Sequence, residues 1–324
     1  MILVFGAGGQ VGWELQRSLA LHGTVIPITR DKVDLTDAAS LRAAIRSAKP
    51  DALVNAAAYT AVDKAESESD LAFAINATAP GIMAEEARAA GIPMVHYSSD
   101  YAYSGTKDGR YVESDVSNPQ SVYARSKVAG DEAVLGSGAN AFVLRTSWVF
   151  AARGANFLRT ILRLAREREN LRVVADQVGA PTSAELLADV TARVLERINR
   201  RKNDLAAPSS ALKGNSGALA TAAFVASNVP DPVVSGLFHC TAAGETSWHG
   251  YATYIVSEAR ALGAQLKLAP ENIEAITTEQ YPTPAARPKN SRLDCSKLER
   301  MFGLQLPPWQ VHVRRALVEL LQDK

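Results

Sequence analysis

The stretch Ile2-Leu3-Val4-Phe5-Gly6-Ala7-Gly8-Gly9-Gln10-Val11-Gly12 decides the fold. Its apolar run has no polar alternation, as expected of a central parallel strand covered on both faces. Gly6, Gly9 and Gly12 follow in G-x-x-G-x-x-G spacing. The G-x-G-x-x-G form is not matched, because position 11 is Val. Val11, Leu15 and Leu19 then mark the inner face of a helix. Glycines permit a tight turn and let backbone N–H groups reach a pyrophosphate at a helix N-terminus. Strand, glycine turn and helix together point to a bound dinucleotide rather than a bare turn.

Outward from this unit, Val25-Ile26-Pro27-Ile28 reads as a second strand. Proline is awkward inside a sheet, which predicts a short or irregular strand there. An acidic residue at its end would favour NAD, but the chain has Thr29-Arg30 followed by Asp31. Arg30 could pair with a 2′-phosphate, favouring NADP, while Asp31 and Asp34 point the other way. The plain alternative is a surface arginine. Thr36 or Asp37 caps a helix with Leu41 and Ile45 on one face, ended by Lys49-Pro50. Ala52 to Asn55 is the next strand, and the mostly small residues Ala56 to Thr60 leave room for a flat cofactor. Leu71 and Ile75 give the following helix an apolar face, which Pro80 kinks or restarts. Gly91-Ile92-Pro93 stops it, and Met94 to Tyr97 is the next strand. This β-α repetition predicts an α/β fold with a doubly wound, Rossmann-like parallel sheet.

Such sheets bind ligands at the carboxyl ends of their strands. Ser98, Ser99 and Asp100 are therefore where chemistry is expected. Tyr123 and Lys127, four apart on the next helix, face the same way. That spacing is weak by itself and gains meaning only from the strand end and glycine turn beside it. After the strand Ala141 to Arg145 the pattern changes. Residues 1–147 read as a dinucleotide-binding domain and 148–324 mainly as a smaller α/β substrate domain. The chain is expected to cross back near 172–182 and 236–262. Residues 200–232 read as a surface insertion, with a helix near Ala218 to Val225. The loop Tyr281 to Pro288 is braced by prolines, which lower the entropy cost of holding one shape. Arg287 within it could hold a phosphate bidentately or make an ordinary ion pair.

Composition narrows the partners. A net charge of +1 over 324 residues gives no overall reason to expect nucleic acid or an acidic membrane. Cys240 and Cys295 read as thiols of a reducing compartment. No run approaches the ~18 apolar residues of a membrane span, and the apolar start is too short for a signal peptide. The expectation is a soluble, cytoplasmic protein. His22, His96, His239, His249 and His312 lack metal-ligand spacing, and G-x-S-x-G is absent.

The glycine turn, Ser99 and Tyr123-x-x-x-Lys127 resemble the extended short-chain dehydrogenase/reductase superfamily. Longer strings make the chain similar to its dTDP-4-dehydrorhamnose reductase family. They are Gly9 to Leu15, Asn55 to Asp63, Ser98 to Tyr101, Arg145 to Trp148, Asp176 to Thr182 and Tyr281 to Ser291. The likeness spans almost the whole chain except about 200–232. It implies NAD(P)H-dependent reduction of dTDP-4-dehydro-L-rhamnose to dTDP-L-rhamnose, the last step of dTDP-rhamnose synthesis. By this resemblance Tyr123 donates the proton, and Lys127 lowers its pKa from about 10 toward neutrality. Lys127 also reaches the nicotinamide ribose, and Ser99 hydrogen-bonds the carbonyl oxygen. Asp100, Trp148 and Arg287 touch the sugar nucleotide. Gln10, Val11, Gly12, Ala58, Tyr59 and Thr60 line the cofactor, with Asp34 and Leu35 at its adenine.

The resemblance also implies a homodimer. Some relatives hold magnesium at a dimer interface through three glutamates. Glu14 and Glu185 match two of those positions and Ser296, a poor ligand, stands at the third, so an altered magnesium site at Glu14 and Glu185 stays open while no metal is counted on. Two alternatives remain. One is a nucleotide-sugar epimerase or dehydratase, though a dehydratase would want a carboxylate pair where Asp100-Tyr101 stands. The other is a non-catalytic regulatory subunit of methionine adenosyltransferase. The intact Ser99, Tyr123 and Lys127 favour an enzyme.

Overall fold

The computed structural model describes residues 1–206 and 235–322. The first half alternates β1 (Ile2–Phe5), α1 (Gln10–Leu19), β2 (Val25–Ile28), α2 (Ala38–Ala48) and β3 (Ala52–Asn55). It continues through α3 (Ser69–Phe73), α4 (Ala79–Ala90), β4 (Met94–Ser99), α5 (Val122–Gly136) and β5 (Ala141–Thr146). These strands and β10 (Gly236–His239) form one parallel sheet of order β10-β5-β4-β3-β1-β2. The strand order reverses at β1, so the glycine turn sits at the switch point where such sheets take ligands.

Strand alternation assigns the two cores. Ile2, Val4, Val95, Tyr97, Phe142 and Leu144 face α1 and a later helix, packing with Leu15, Leu19 and Leu187. Leu3, Phe5, Leu53 and Val143 face the opposite layer, against Leu41, Ile45, Ile82 and Met83. Both faces of the sheet are covered, which is why β1 has no polar position. Pro27 does not break β2, which is a regular strand at the sheet edge, where proline is tolerated. Asp37, rather than Thr36, caps α2, accepting from the N–H groups of Ala39 and Ser40. Leu71 departs from the expected apolar face: it is 41% exposed.

A π turn, Ala74–Thr78, joins α3 to α4, and Pro80 falls in the first turn of α4, where its missing N–H costs nothing. Asn76 in that turn clamps two functional segments. Its Oδ1 accepts from Tyr59 N at 2.8 Å, and its Nδ2 donates to Tyr59 O and to Ser126 Oγ. Helix α5 comes so close that a Cβ at Gly130 would lie 2.0 Å from Asn76 O. Arg145 on β5 donates to Asp131 on α5 at 2.9 Å, both nearly fully buried. Breaking such a pair by removing one partner typically costs about 3–5 kcal/mol.

The second half adds β6 (Val149–Phe150), α6 (Phe157–Glu167), β7 (Leu171–Val174), β8 (Val178–Gly179), β9 (Thr182–Ser183) and α7 (Ala184–Ala206). After β10 come β11 (Thr246–Ser247), α8 (Trp248–Ala261), β12 (Ile273–Ile276), α9 (Ser296–Phe302) and α10 (Trp309–Gln322). The strands at 171–183 join only two-stranded sheets, pairing β12 with β7, β11 with β8 and β6 with β9. The chain rejoins the large sheet instead through α7, packed on α1, and then β10, paired with β5. Beyond Ala206, the insertion expected at 200–232 and its helix lie outside the described residues. Among the described residues no helix is long and apolar enough to cross a membrane.

Candidate functional site

The site gathers at the carboxyl end of β4. Ser99 is the last residue of that strand and is buried. Its Oγ accepts from Tyr101 N at 3.1 Å and donates to Asp100 Oδ1 at 3.0 Å. Helix α5 begins at N-cap Ser121, which accepts from Ala124 N, and Glu66 holds Val122 N. This start places Tyr123 beside Ser99 and edge-on to Tyr101, with ring centroids 5.6 Å apart. One turn on, the fully buried Lys127 donates from Nζ to Tyr97 O at 2.8 Å.

Burial sets the protonation states. It pushes the Tyr123 phenol up to about 12, against the hydrogen bond to Ser99, with Asp100 and Asp131 pushing the same way as burial. The net shift is upward, so burial outweighs the expected lowering toward neutrality, and the Lys127 ammonium is engaged by the Tyr97 carbonyl. A proton donor nonetheless needs its proton, and this environment keeps it on. Burial pulls Lys127 down to about 8, and Asp131 one turn further along α5 opposes that. Burial raises Asp100 to about 6, opposed by the Ser291 and Ser99 hydroxyls. Asp100 Oδ2 is nonetheless buried without a partner of hydrogen-bond geometry. A buried orphan acceptor suits a sugar hydroxyl.

Two arms surround this centre. Ser291 bridges to the first. A Cβ built at Gly179 would lie 3.0 Å from Ser291 Cβ and 2.9 Å from Trp148 Cε2, so Asp100, Ser291, Gly179 and Trp148 are contiguous. The second is the proline-braced loop. Arg287 donates to Asp63 Oδ2 at 2.8 Å, and Ala285 N donates to Asp63 Oδ1 at 3.1 Å. Of the two readings open for Arg287, the ion pair is the one present, and it lies close enough to Tyr101 to act on its phenol. Ser291, Asp63 and Tyr101 end three of the strings that carry the family resemblance, but their sequence positions do not show that they meet here, because they come from three separate loops.

The glycine turn fits a dinucleotide. Helix α1 starts at Gly9 with no side-chain cap, and Gly8 and Gly9 are exposed. Gly6 has φ +76°, and a Cβ at Gly12 would lie 2.1 Å from Gly6 O. The uncapped N-terminus, with Gln10, Val11 and Gly12 in its first turn, is thus open to an anion. Gln10 is steadied by Asn156 Nδ2 at 2.8 Å. Arg30 and Asp34 are exposed beyond β2, with Leu35 half-buried beside them, and Asp34 caps Thr36. Ala58 and Thr60 lie on the loop after β3, whereas the Tyr59 side chain turns away to Glu68 at 2.6 Å.

The magnesium reading does not fit. Glu185 is engaged by Arg315 at 2.6 Å and His312 at 3.3 Å, and Arg17 reaches Glu14, Glu185 and Asp189. Protein cations already neutralise the carboxylates. Ser296 lines a different hollow, with Arg110 and Cys295.

A doubly wound parallel sheet with a hydroxyl, a tyrosine and a lysine at its carboxyl edge defines a Rossmann-type oxidoreductase of the short-chain class. The chain matches the family model described as the RmlD substrate binding domain over residues 1–210 and 213–322, and it belongs to that family. It is 45% identical over 322 residues to the dTDP-4-dehydrorhamnose reductase of Burkholderia thailandensis, covering 99% of each chain. Among solved structures it is similar to a dTDP-4-dehydrorhamnose reductase from Clostridium acetobutylicum, with TM-score 0.81, 33% identity and 99% of both chains covered. It is also similar to one from Bacillus anthracis in complex with NADP, with TM-score 0.79, 29% identity and 98% of both covered.

Proposed function

We propose that this chain uses NAD(P)H to reduce the 4-keto group of dTDP-4-dehydro-L-rhamnose, giving dTDP-L-rhamnose. The observation that carries this reading is the convergence of buried Ser99, half-buried Tyr123 and buried Lys127 at the sheet's carboxyl edge. Full-length likeness to proteins named as reductases supports it over an epimerase, a dehydratase or a regulatory subunit.

Bound NAD(P)H supplies a hydride to the keto carbon, leaving negative charge on oxygen. Ser99 Oγ turns its hydrogen from Asp100 Oδ1 to that oxygen and donates to it as the charge develops. Tyr123, protonated across the neutral range, gives it a proton. The resulting tyrosinate is stabilised by the Lys127 ammonium one turn away, which keeps its charge below about pH 8. Asp100 Oδ2 accepts from a sugar hydroxyl, and the Trp148 indole walls the sugar nucleotide. Arg287 exchanges Asp63 for the diphosphate, a swap of one bidentate-capable anion for another. Gly6, Gly9, Gln10, Val11 and Gly12 hold the cofactor diphosphate. Ala58, Thr60 and the Tyr59 backbone lie along the cofactor, and Asp34 and Leu35 flank its adenine. Arg30 takes a 2′-phosphate, so NADPH is the preferred donor.

We place the enzyme in the cytoplasm and expect a homodimer, with no metal in its active unit. The test is NADPH and NADH oxidation in the presence of dTDP-4-dehydro-L-rhamnose, with the product followed by chromatography. Formation of dTDP-L-rhamnose, faster with NADPH, supports the reading. Absence of turnover with either cofactor sinks it.

A further inference from the structure

Trp148 is one of two non-glycine residues with positive φ among the described residues, at +49°. For a bulky side chain this is a sparsely populated, strained conformation that persists only where surroundings over-determine it. The surroundings are visible. The indole of Trp248, the first residue of α8, stacks on Trp148 with centroids 3.6 Å apart and planes 13° apart. Trp248 is itself fixed: its Nε1 donates to Gln177 Oε1 at 3.1 Å, and Phe157 lies against it at 4.6 Å. Gln177 Nε2 in turn donates to Thr278 Oγ1 at 3.1 Å. Ser247 caps α8 by accepting from Gly250 N, so the helix start that carries Trp248 is rigid. At the indole's other contact, Gly179 leaves no room for a side chain, because a Cβ would stand 2.9 Å from Trp148 Cε2.

We propose that Trp248 is a positioning residue that, with Gly179, holds Trp148 in its strained backbone conformation as the wall of the sugar-nucleotide site. This rests on the assignment of Trp148 as a substrate residue. Trp248 touches no reacting atom; it acts through Trp148. The strain is offset by a stack that only a flat ring at position 248 supplies, and the contact surface is lost if either ring goes. Substrate recognition in this half of the molecule thus depends on a residue behind the wall, while cofactor binding in the other half does not.

The test is a double-mutant cycle in steady-state kinetics with dTDP-4-dehydro-L-rhamnose and NADPH. Trp148→Ala is expected to raise KM for the sugar nucleotide about tenfold, and Trp248→Ala about fivefold, the scale of one lost aromatic stack. The double variant should be no worse than Trp148→Ala alone, because Trp248 has nothing left to position. Trp248→Phe should recover most of the loss, and KM for NADPH should not move in any of them. Gly179→Ala, which displaces the indole directly, should reproduce the KM rise and stands in if Trp248→Ala does not fold. A Trp148 effect without a Trp248 or Gly179 effect overturns this inference alone, as do single effects that multiply in the double variant or a parallel rise in KM for NADPH. No effect of Trp148→Ala overturns the substrate assignment of Trp148, and this inference with it.

Discussion

The two halves of the site are built differently. Ser99, Tyr123 and Lys127 come from one strand of the large sheet and the helix after it, with Ser99 hydrogen-bonded to Asp100 and Tyr101 and Lys127 to the Tyr97 carbonyl. Trp148, Arg287 and Ser291 come from loops of the second half and meet the centre through Gly179, Asp63 and Asp100. The first half fixes proton states by burial, which is stiff and insensitive to small movements. The second fixes shape by stacking, turns and an exchangeable ion pair. Chemistry and recognition are therefore separable, and variants in the two halves should alter different constants.

The largest effect belongs to the first half. Tyr123→Phe removes the proposed proton donor and should lower kcat by about 10³, within the usual span for a general acid. Steady-state assays should find KM for both substrates within about twofold of wild type. A comparable rise in KM would mean that chemistry and recognition are not separable. Arg287→Ala probes the other half. Losing a charged, bidentate-capable contact should raise KM for the sugar nucleotide about tenfold and leave kcat within about threefold. A fall confined to kcat would move Arg287 into the chemical half.

The pH profile sharpens the contrast. Asp100, raised to about 6 by burial, is charged above that value and neutral below it. Its acceptor strength is lost as pH falls through about 6, so kcat/KM should decline on that side. Lys127, pulled down to about 8, is cationic below that value and loses its charge as pH rises through it, so kcat should decline on the basic side. Asp100→Asn should flatten the acid limb and leave the basic one. An unchanged acid limb would remove Asp100 from substrate binding. The smallest effect is expected at the exposed Arg30. Arg30→Ala should raise KM for NADPH about fivefold and leave KM for NADH unchanged. Equal shifts for both would detach Arg30 from the 2′-phosphate.

The same division explains what the sequence reveals. The sheet, the glycine turn and the trio are legible because each is a local pattern: an unbroken apolar run, glycines at fixed spacing, a hydroxyl at a strand end, a four-residue helical interval. Pro27 was awkward only until β2 took the sheet edge, a property of strand order that no local pattern encodes. Nothing in the sequence around Trp248 signals its stack on Trp148, which needs a strained turn 100 residues earlier in the chain. The Tyr123 phenol was expected to titrate lower because a lysine sits four residues on. Burial, which spacing does not report, decides the direction. Glu14 and Glu185 match a metal pattern, yet Arg17 and Arg315, from α1 and α10, supply the positive charge instead, and His312 lies within 3.3 Å of Glu185.

The most direct test of the central claim follows the hydride itself. NADPH carrying deuterium at the transferred position is mixed with the enzyme and dTDP-4-dehydro-L-rhamnose, and the sugar product is read by NMR. dTDP-L-rhamnose should carry one deuterium on C4 for each cofactor oxidised. Cofactor oxidation without label on C4, or a sugar recovered unreduced, would contradict it.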